Sequence, residues 1–298
     1  MAGGQERILR RRIKSVAATR KITKAMELIA ASQISKSQAR ITQNRAYKEG
    51  MRHIVMEAVK SDPAGARALL SLPEKVTNAA VLVITGDRGL SGAYNSGAMR
   101  AGERLIRELQ AKGVTVKLFT VGKKAPAFFK FRGFEITQSF AGFADKPTFK
   151  DARRVAGAIA EPFIDGEVEQ VFMVSTNFLS AASQQVGTRQ LLPLEVPEMV
   201  VDENAPKKLI GYTEFEPEVE QLLIELAPRA LVSEIYAALL EGAASFHVSQ
   251  QRAMAAATDN ADELRQTLTR IMNRARQDSI TTEIMEIVSG AEALRSRK

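Results

Sequence analysis

The chain has no cysteine and no tryptophan among its 298 residues, and it has two histidines, His53 and His247. Without cysteine, disulfide bonds and thiolate metal sites are excluded. Neither histidine has a second ligand at metal-site spacing, so we expect both to be polar residues on helix faces. No apolar run approaches the ~18 residues of a membrane-spanning helix. We therefore expect a cytosolic protein, or one that reaches a membrane only through partners.

A second absence concerns catalytic motifs. The stretch GDRGLSGAYN at 86–95 follows an apolar run and precedes a predicted helix, as phosphate-binding loops do. It lacks the GxxxxGK[ST] pattern, and Arg88 stands where GxGxxG needs glycine. Two interpretations remain open, namely anion contact through Arg88 or a tight strand-to-helix turn with Asp87 and Asn95 in capping positions. No GxSxG serine or paired carboxylate motif occurs, so we predict no catalytic site, no metal site and no cofactor.

The positive charge is concentrated at one end of the chain. The net charge is +8, but residues 1–60 hold fourteen Lys or Arg against four Glu and no Asp. Residues 7–24 contain eight of these cations and no acid. This basic segment is consistent with a helix that faces solvent or an acidic partner, and also with a helix that binds nucleic acid.

The first 60 residues predict one long helix or two nearly continuous ones. They contain no proline, and Gly50 is their only glycine after Gly4. Their apolar residues have four-three spacing with one six-residue step. This pattern predicts an interrupted coiled-coil seam on Leu9, Ile13, Val16, Ile22, Met26 and Ile29.

Residues 75–210 predict an α/β domain. Strand-like apolar runs alternate with helical stretches at 79–85, 94–112, 114–121, 122–132, 148–164 and 168–175. Such alternation is typical of a small domain with a largely parallel sheet. The proline-containing segment 193–217 predicts a loop or an edge strand.

Residues 217–298 predict a helical segment whose long helix pairs with residues 1–60 in an antiparallel arrangement. Its apolar residues again have four-three spacing, with a shift of one residue between two registers. The predicted seam positions are Ala257, Ala261, Leu264, Leu268, Ile271 and Ala275, followed by Ile280, Ile284, Ile287, Ala291 and Leu294.

Three stretches together resemble the gamma subunit of F-type ATP synthases. They are RIKSVAATRKITKAMELIAAS at 12–32, GDRGLSGAYN at 86–95, and ATDNADELRQTLTRIMNRARQDSITTEIMEIVSGAEAL at 257–294. The resemblance implies an antiparallel coiled coil of the N- and C-terminal helices with an inserted Rossmann-like α/β domain.

The resemblance also implies a mechanical role. The coiled coil would be the central rotor shaft in a ring of three alpha and three beta subunits, and the lower part would bind the epsilon subunit and the c-subunit ring. Ion flow through the membrane sector would drive ATP synthesis at the beta subunits. The chain would be a non-catalytic subunit of a peripheral complex at the cytoplasmic face of a bacterial plasma membrane, and an organelle membrane is the alternative location.

By resemblance, eight side chains contact partner subunits: Lys21, Lys24, Met26, Arg88, Arg274, Arg276, Gln277 and Thr281. Residues 288–294 would turn in an apolar sleeve at the top of the ring. The sequence departs from the family pattern at Gln250 and Gln251, where members usually carry Arg-Met. Met272 and Asp278 are further departures. The plant-type redox switch is excluded because it needs cysteine.

Overall fold

The computed structural model describes residues 2–61, 76–193, 215–216 and 218–295. The predicted loop or edge strand at 193–217 therefore lies almost entirely outside the described residues. In chain order the elements are α1 (Ala2–Ser61), β1 (Asn78–Ile84), α2 (Tyr94–Ala111), β2 (Thr115–Val121), α3 (Lys124–Phe131), β3 (Gln138–Phe140), α4 (Phe149–Ile164), β4 (Gln170–Phe178), β5 (Gln184–Leu192) and α5 (Val219–Arg295).

The chain divides into two compact units. The first, which we call the paired-helix unit, consists of Met1–Ala30 and Gln250–Lys298. The second, the sheet unit, consists of Ala31–Ser249. The predicted long terminal helices are confirmed. The division into domains at 1–60, 75–210 and 217–298 stays a prediction.

In the paired-helix unit, α1 and α5 lie antiparallel. The Nε atom of Arg20 donates to Asp262 Oδ2 at 2.5 Å, and the hydroxyls of Thr23 and Thr258 are 2.8 Å apart. The residue number rises from Arg20 to Thr23 on α1 while that of the partner falls from Asp262 to Thr258 on α5, so the two helices run antiparallel. The hydrogen bond from Arg20 lowers the pKa of Asp262 below its usual value.

The seam on α1 is continuous, so the predicted six-residue step is wrong. Buried and half-buried side chains follow four-three spacing without a break: Leu9, Ile13, Val16, Arg20, Thr23, Glu27 and Ala30. Ile22 and Ile29 of the predicted seam are each 61% exposed. The seam passes one residue later, through Thr23 and Ala30, because small side chains let two helices approach closely.

The predicted seam on α5 is correct in part. Ala261 and Leu268 are buried and Ala275 is half-buried, as expected. Leu264 and Ile271 are instead 49% and 45% exposed. Sequence hydrophobicity alone did not separate the residues that face the other helix from those that face outward.

The end of α5 has no helix beside it within the described part of the unit. Counting along both helices from the contact of Thr23 with Thr258, α1 begins opposite about residue 279 of α5. All described side chains from Ile280 onward are exposed. The second predicted seam register, which begins at Ile280, therefore packs against no helix here, and the Leu294 side chain lies outside the described residues.

The sheet unit contains a five-stranded sheet in the order β3-β2-β1-β4-β5. The first four strands are parallel, with Ala79 opposite both Val116 and Gln170, and β5 is antiparallel to β4. The predicted α/β class and the largely parallel sheet are confirmed. Strands β3 and β5 were missed, because β3 has three residues and β5 is a polar edge strand.

The central strand β1 is buried on both faces, as expected for a parallel sheet covered by helices. Its residues alternate between two hydrophobic clusters. Leu82 and Ile84 pack in the cluster that contains Ile159 of α4 and Leu239 of α5. Val81 and Val83 pack in the cluster that contains residues of α2 and α3, such as Ile106 and Phe129.

A tight turn after β2 provides a test of the packing. Gly122 has φ +92°, and a Cβ atom there would clash with the Thr85 carbonyl and lie 2.7 Å from the Gly86 oxygen. Gly133 has φ +79° with open space around it. We expect Gly122→Ala to lower the free energy of unfolding by more than about 3 kcal/mol.

The matched control is Gly133→Ala, which carries the backbone cost without the clash and should lose about 1–2 kcal/mol. Urea denaturation of both variants measures the difference. Equal losses would contradict the close approach of Gly122 to the end of β1.

Candidate functional site

The stretch 86–95 forms a closed turn between β1 and α2. The Asn95 side chain holds it, because Asn95 Oδ1 accepts from Gly86 N at 2.8 Å and Nδ2 donates to the Arg88 carbonyl at 3.0 Å. Leu90 has φ 61°, a conformation that costs energy for a residue other than glycine. The strand-to-helix turn predicted from the sequence is present.

Asp87 connects this turn to two other loops. Its carboxylate accepts hydrogen bonds from the backbone N–H groups of Lys123 at 3.2 Å, Gly142 at 3.0 Å and Ala144 at 3.0 Å. A carboxylate has acceptor sites for several donors, so one side chain ties three segments together. The sequence predicted a local cap at Asp87 and did not reveal this longer-range role.

The crevice where α/β sheets usually bind ligands is filled by α5. The strand order reverses between β1 and β4, and ligands of such sheets bind outside the carboxyl ends of the strands at that point. Here Phe246 of α5 lies so close to Gly86 that a Cβ atom there would be 3.1 Å from its ring. Glu241 accepts from the backbone N–H of Phe178 at 3.3 Å. Side chains of α5 thus lie at the carboxyl ends of β1 and β4, beside Gly86 and Phe178.

Arg88, predicted to contact a partner, is engaged within the sheet unit. Its Nη2 atom lies 2.6 Å from Asp145 Oδ2, and its guanidinium stands 5.9 Å from the centre of the Phe246 ring. The side chain is nevertheless 59% exposed. Arg88 is therefore accessible to a partner, but an intramolecular ion pair competes for its charge.

The predicted contacts on α1 have different environments. Lys21 is exposed and makes no ion pair with any described residue. Lys24 is 2.9 Å from Glu27, so its charge is partly neutralised. Met26 is half-buried. Of the three, Lys21 is the side chain most available to an acidic partner.

The predicted contacts on α5 form a second group. Arg274, Arg276, Gln277 and Thr281 are all exposed, and the Thr281 hydroxyl donates to the Gln277 carbonyl at 3.0 Å. Because Thr23 lies opposite Thr258, the two groups are separated by about 20 Å along the helix pair. The paired-helix unit thus presents two separate sets of candidate contacts.

The sequence matches known proteins along nearly its whole length. The family model described as ATP synthase matches residues 5–294. The ATP synthase gamma chain of Parafrankia sp. (strain EAN1pec) is 44% identical over 297 residues, which cover 98% of this chain and 99% of that protein. The ATP synthase gamma chain of Streptomyces avermitilis is 43% identical over 296 residues, with coverage of 98% and 97%. The chain belongs to the ATP synthase gamma-chain family.

Solved structures share the fold at lower sequence identity. A chain in the cryo-EM structure of the Euglena gracilis mitochondrial ATP synthase (OSCP/F1/c-ring, rotational state 3) aligns with a TM-score of 0.68 at 18% identity, covering 99% of this chain and 96% of that chain. A chain of the Tetrahymena thermophila mitochondrial ATP synthase central stalk and c-ring aligns with a TM-score of 0.60 at 22% identity, covering 79% and 99%. The long terminal helices and the central sheet are thus the gamma-chain fold.

The sequence analysis did not predict that several isoleucines on the two long helices are exposed to solvent. Ile8, Ile22 and Ile29 are about 60% exposed on α1, and Ile287 is 72% exposed on α5. The seven-residue spacing of Ile22 and Ile29 was a usable signal, but it was assigned to the seam. Exposed apolar side chains in a series are typical of surfaces that contact other proteins.

The part of the chain that the structure describes contains neither a candidate metal site nor a candidate membrane-spanning helix. No group of three or more His, Asp or Glu side chains is arranged to hold a metal ion. No described helix combines the length and the hydrophobicity needed to cross a membrane.

The three amide hydrogen bonds of Asp87 give a direct test of the turn. We expect Asp87→Ala to lower the free energy of unfolding by about 2 kcal/mol, because hydrogen bonds to a charged group are lost. Asp87→Asn should lose less, since one acceptor oxygen remains. Glu135→Ala removes an exposed acid for which the described structure gives no hydrogen bond, so it is the control. Equal urea midpoints for Asp87→Ala and Glu135→Ala would contradict the proposed connection.

Proposed function

We propose that this chain is the central rotor shaft of the F-type ATP synthase, which couples ion flow through the membrane sector to ATP synthesis or hydrolysis at the beta subunits. The observation that carries the proposal is the gamma-chain family membership over 98% of the chain at 44% identity. The partners would be three alpha and three beta subunits, an epsilon subunit and a ring of c subunits. Membrane association would occur through these partners.

The exposed apolar side chains of the paired-helix unit support the proposal that this unit is enclosed by other subunits. The last turns of α5 present Ile280, Ile284, Ile287 and Val288 to solvent. Burying an apolar side chain is worth about 1.5–3 kcal/mol, so an apolar sleeve would stabilise this end. Of the residues predicted to turn in such a sleeve, 288–292 are described and are exposed.

A non-catalytic role is supported by the filled crevice of the sheet unit. A nucleotide-dependent enzyme built on this sheet would need room beside Gly86, which Phe246 occupies. The nucleotide chemistry would then belong to the alpha and beta partners. The chain would change their conformation by presenting different faces in turn, which requires about 5.5 kcal/mol of differential contact energy.

The nucleic-acid alternative has less support. Of the eight cations at 7–24, Arg10 is paired with Glu6, Arg20 with Asp262 and Lys24 with Glu27. These pairs reduce the charge that a phosphate backbone could meet. The family membership also favours the rotary role.

Assembly tests the proposal. The purified chain should not hydrolyse ATP by itself, and when mixed with alpha and beta subunits it should form one complex that does. Size-exclusion chromatography with an ATPase assay measures both. ATP turnover by the chain alone, or salt-sensitive duplex DNA binding without assembly, would contradict the rotary role.

The two lysines on α1 provide a test of coupling. We expect Lys21→Glu to lower the number of ions pumped per ATP hydrolysed, because it introduces repulsion toward an acidic surface of a beta subunit. Lys24→Glu should lower the ratio as well, because it places a second negative charge beside Glu27, which loses its paired cation. ATP-driven acidification of inverted membrane vesicles measures the ratio. The control is assembly of each variant at the wild-type level, and an unchanged ratio in Lys21→Glu would count against this contact.

A further inference from the structure

Residues 40–52 of α1 lie beside α5 without filling the space between the two helices. A cavity of ≈ 280 Å³ remains there, lined among others by Ile41 of α1 and Leu240 of α5. Further along α1, Val55 packs in one hydrophobic cluster with Leu223 of α5. Apolar packing therefore holds the end of α1, and other contacts must hold the stretch before it.

Arg40 joins this stretch of α1 to two other segments of the sheet unit. Its Nη2 atom donates to the Pro147 carbonyl, in the loop before α4, and lies 3.5 Å from the Tyr236 hydroxyl of α5. A guanidinium group carries five N–H donors in a rigid plane, so one side chain can bind both oxygens. Arg40 is half-buried, which limits the competition from water. One side chain thus connects α1 to both α5 and the loop.

Tyr47 adds an aromatic contact on the same face of α1. It comes seven residues after Arg40, a spacing that places two side chains on one side of a helix. Its ring lies edge-on to that of Phe149 in α4 with centres 6.4 Å apart, and Phe149 lies edge-on to Tyr236 at 5.6 Å. Because Tyr236 contacts both Arg40 and Phe149, the polar and aromatic contacts form one connected cluster.

Lys48 adds an ionic contact one residue later. Its Nζ atom is 3.4 Å from Glu234 Oε2 of α5, and the same oxygen is 2.6 Å from Arg189 Nη1 of β5. Glu234 therefore already has a closer cation, so the contact with Lys48 holds α1 less firmly. Arg40 is the side chain that joins α1 to two segments at once.

We propose that Arg40 holds α1 against the sheet unit when the chain is twisted, and that it sets the torsional stiffness of this part of the shaft. The inference rests on the proposed rotary function. A torque on the sheet unit enters α5 through the apolar core, where Leu231, Ile235 and Leu239 are buried. It enters α1 through the packing at Val55 and through the contacts of Arg40. Arg40 is thus a positioning residue, which acts by holding a helix.

Removing the Arg40 side chain should loosen α1 without unfolding the chain. The contact of Tyr47 with Phe149 and the packing of Val55 remain. The stretch between the paired-helix unit and Val55 would then move more easily relative to α5. Greater mobility should appear in two measurements, one on the chain alone and one on the assembled complex.

The first measurement is amide hydrogen exchange of the full chain, which reports local opening. Arg40→Ala should make exchange at residues 36–50 faster by about tenfold, because hydrogen bonds from a charged donor are lost. Exchange at residues 5–25 should not change. Arg40→Lys should restore part of the protection, since an ammonium group can still donate to one of the two oxygens.

The matched control is Arg45→Ala. Arg45 is an exposed cation on the same helix, and it makes no hydrogen bond or ion pair with any residue that the structure describes. Its removal should leave exchange at residues 36–50 at the wild-type rate. Equal exchange in Arg40→Ala and Arg45→Ala would overturn the proposal.

The second measurement follows the angle of an optical probe on the sheet unit in complexes immobilised through their beta subunits, without nucleotide. A less stiff shaft gives wider angular fluctuations. We expect wider fluctuations in Arg40→Ala, and the wild-type width in Arg45→Ala. If Arg40 only stabilised the fold, fewer complexes would assemble and those that did would fluctuate as the wild type does, which would also overturn the proposal.

The two measurements separate this inference from the rotary function. A wild-type chain that does not assemble with alpha and beta subunits would contradict the rotary function, and hydrogen exchange would still decide whether Arg40 holds α1. A wild-type complex that rotates, with an unchanged fluctuation width in Arg40→Ala, would contradict the role of Arg40 alone.

Discussion

The antiparallel contact between the two ends of the chain is the constraint on which the rest of the structure depends. Arg20 and Thr23, near the start, meet Asp262 and Thr258, near the end. A contact between residues more than two hundred positions apart forms only when the intervening chain folds back on itself. In the chain, the sheet unit is therefore inserted between the two segments of the paired-helix unit. It begins within α1 and ends within α5.

Around this contact the seam uses small and polar side chains, although Leu9 on α1 and Leu268 on α5 are also buried. Thr23, Ala30, Thr258 and Ala261 are buried there, while Ile22 and Ile29 face outward. Small residues bury little apolar area, so the helix pair gains less from the hydrophobic effect than a leucine seam would. Ile22 and Ile29 stay available on the outside. This distribution suits a helix pair that makes its main contacts with other subunits.

The long helices and the parallel strands were predictable from the sequence because both have a local period. The four-three spacing and the short apolar runs identify α1, α5, β1, β2 and β4 from the sequence alone. The seam position was not predictable in this way, since hydrophobicity favours Ile22 over Thr23. Choosing between them requires knowing what lies on each side of the helix.

The candidate site was less predictable, because its contacts are distant in sequence. Arg88 pairs with Asp145, and Asp87 binds the backbone of Gly142 and Ala144. No local motif links these positions. The glycines of the 86–95 turn suggested phosphate binding, but the crevice beside the turn is filled by Phe246, which comes from the helix at the other end of the chain.

Direct observation of rotation is the measurement that tests the central claim most directly. The chain has no cysteine, so one cysteine introduced at the exposed residue Phe131 can carry a single optical probe. The probe is followed on a complex immobilised through its beta subunits. The rotary account predicts one-directional turning in three steps per revolution after ATP is added. Continued ATP hydrolysis by a complex in which the chain stays still would contradict it.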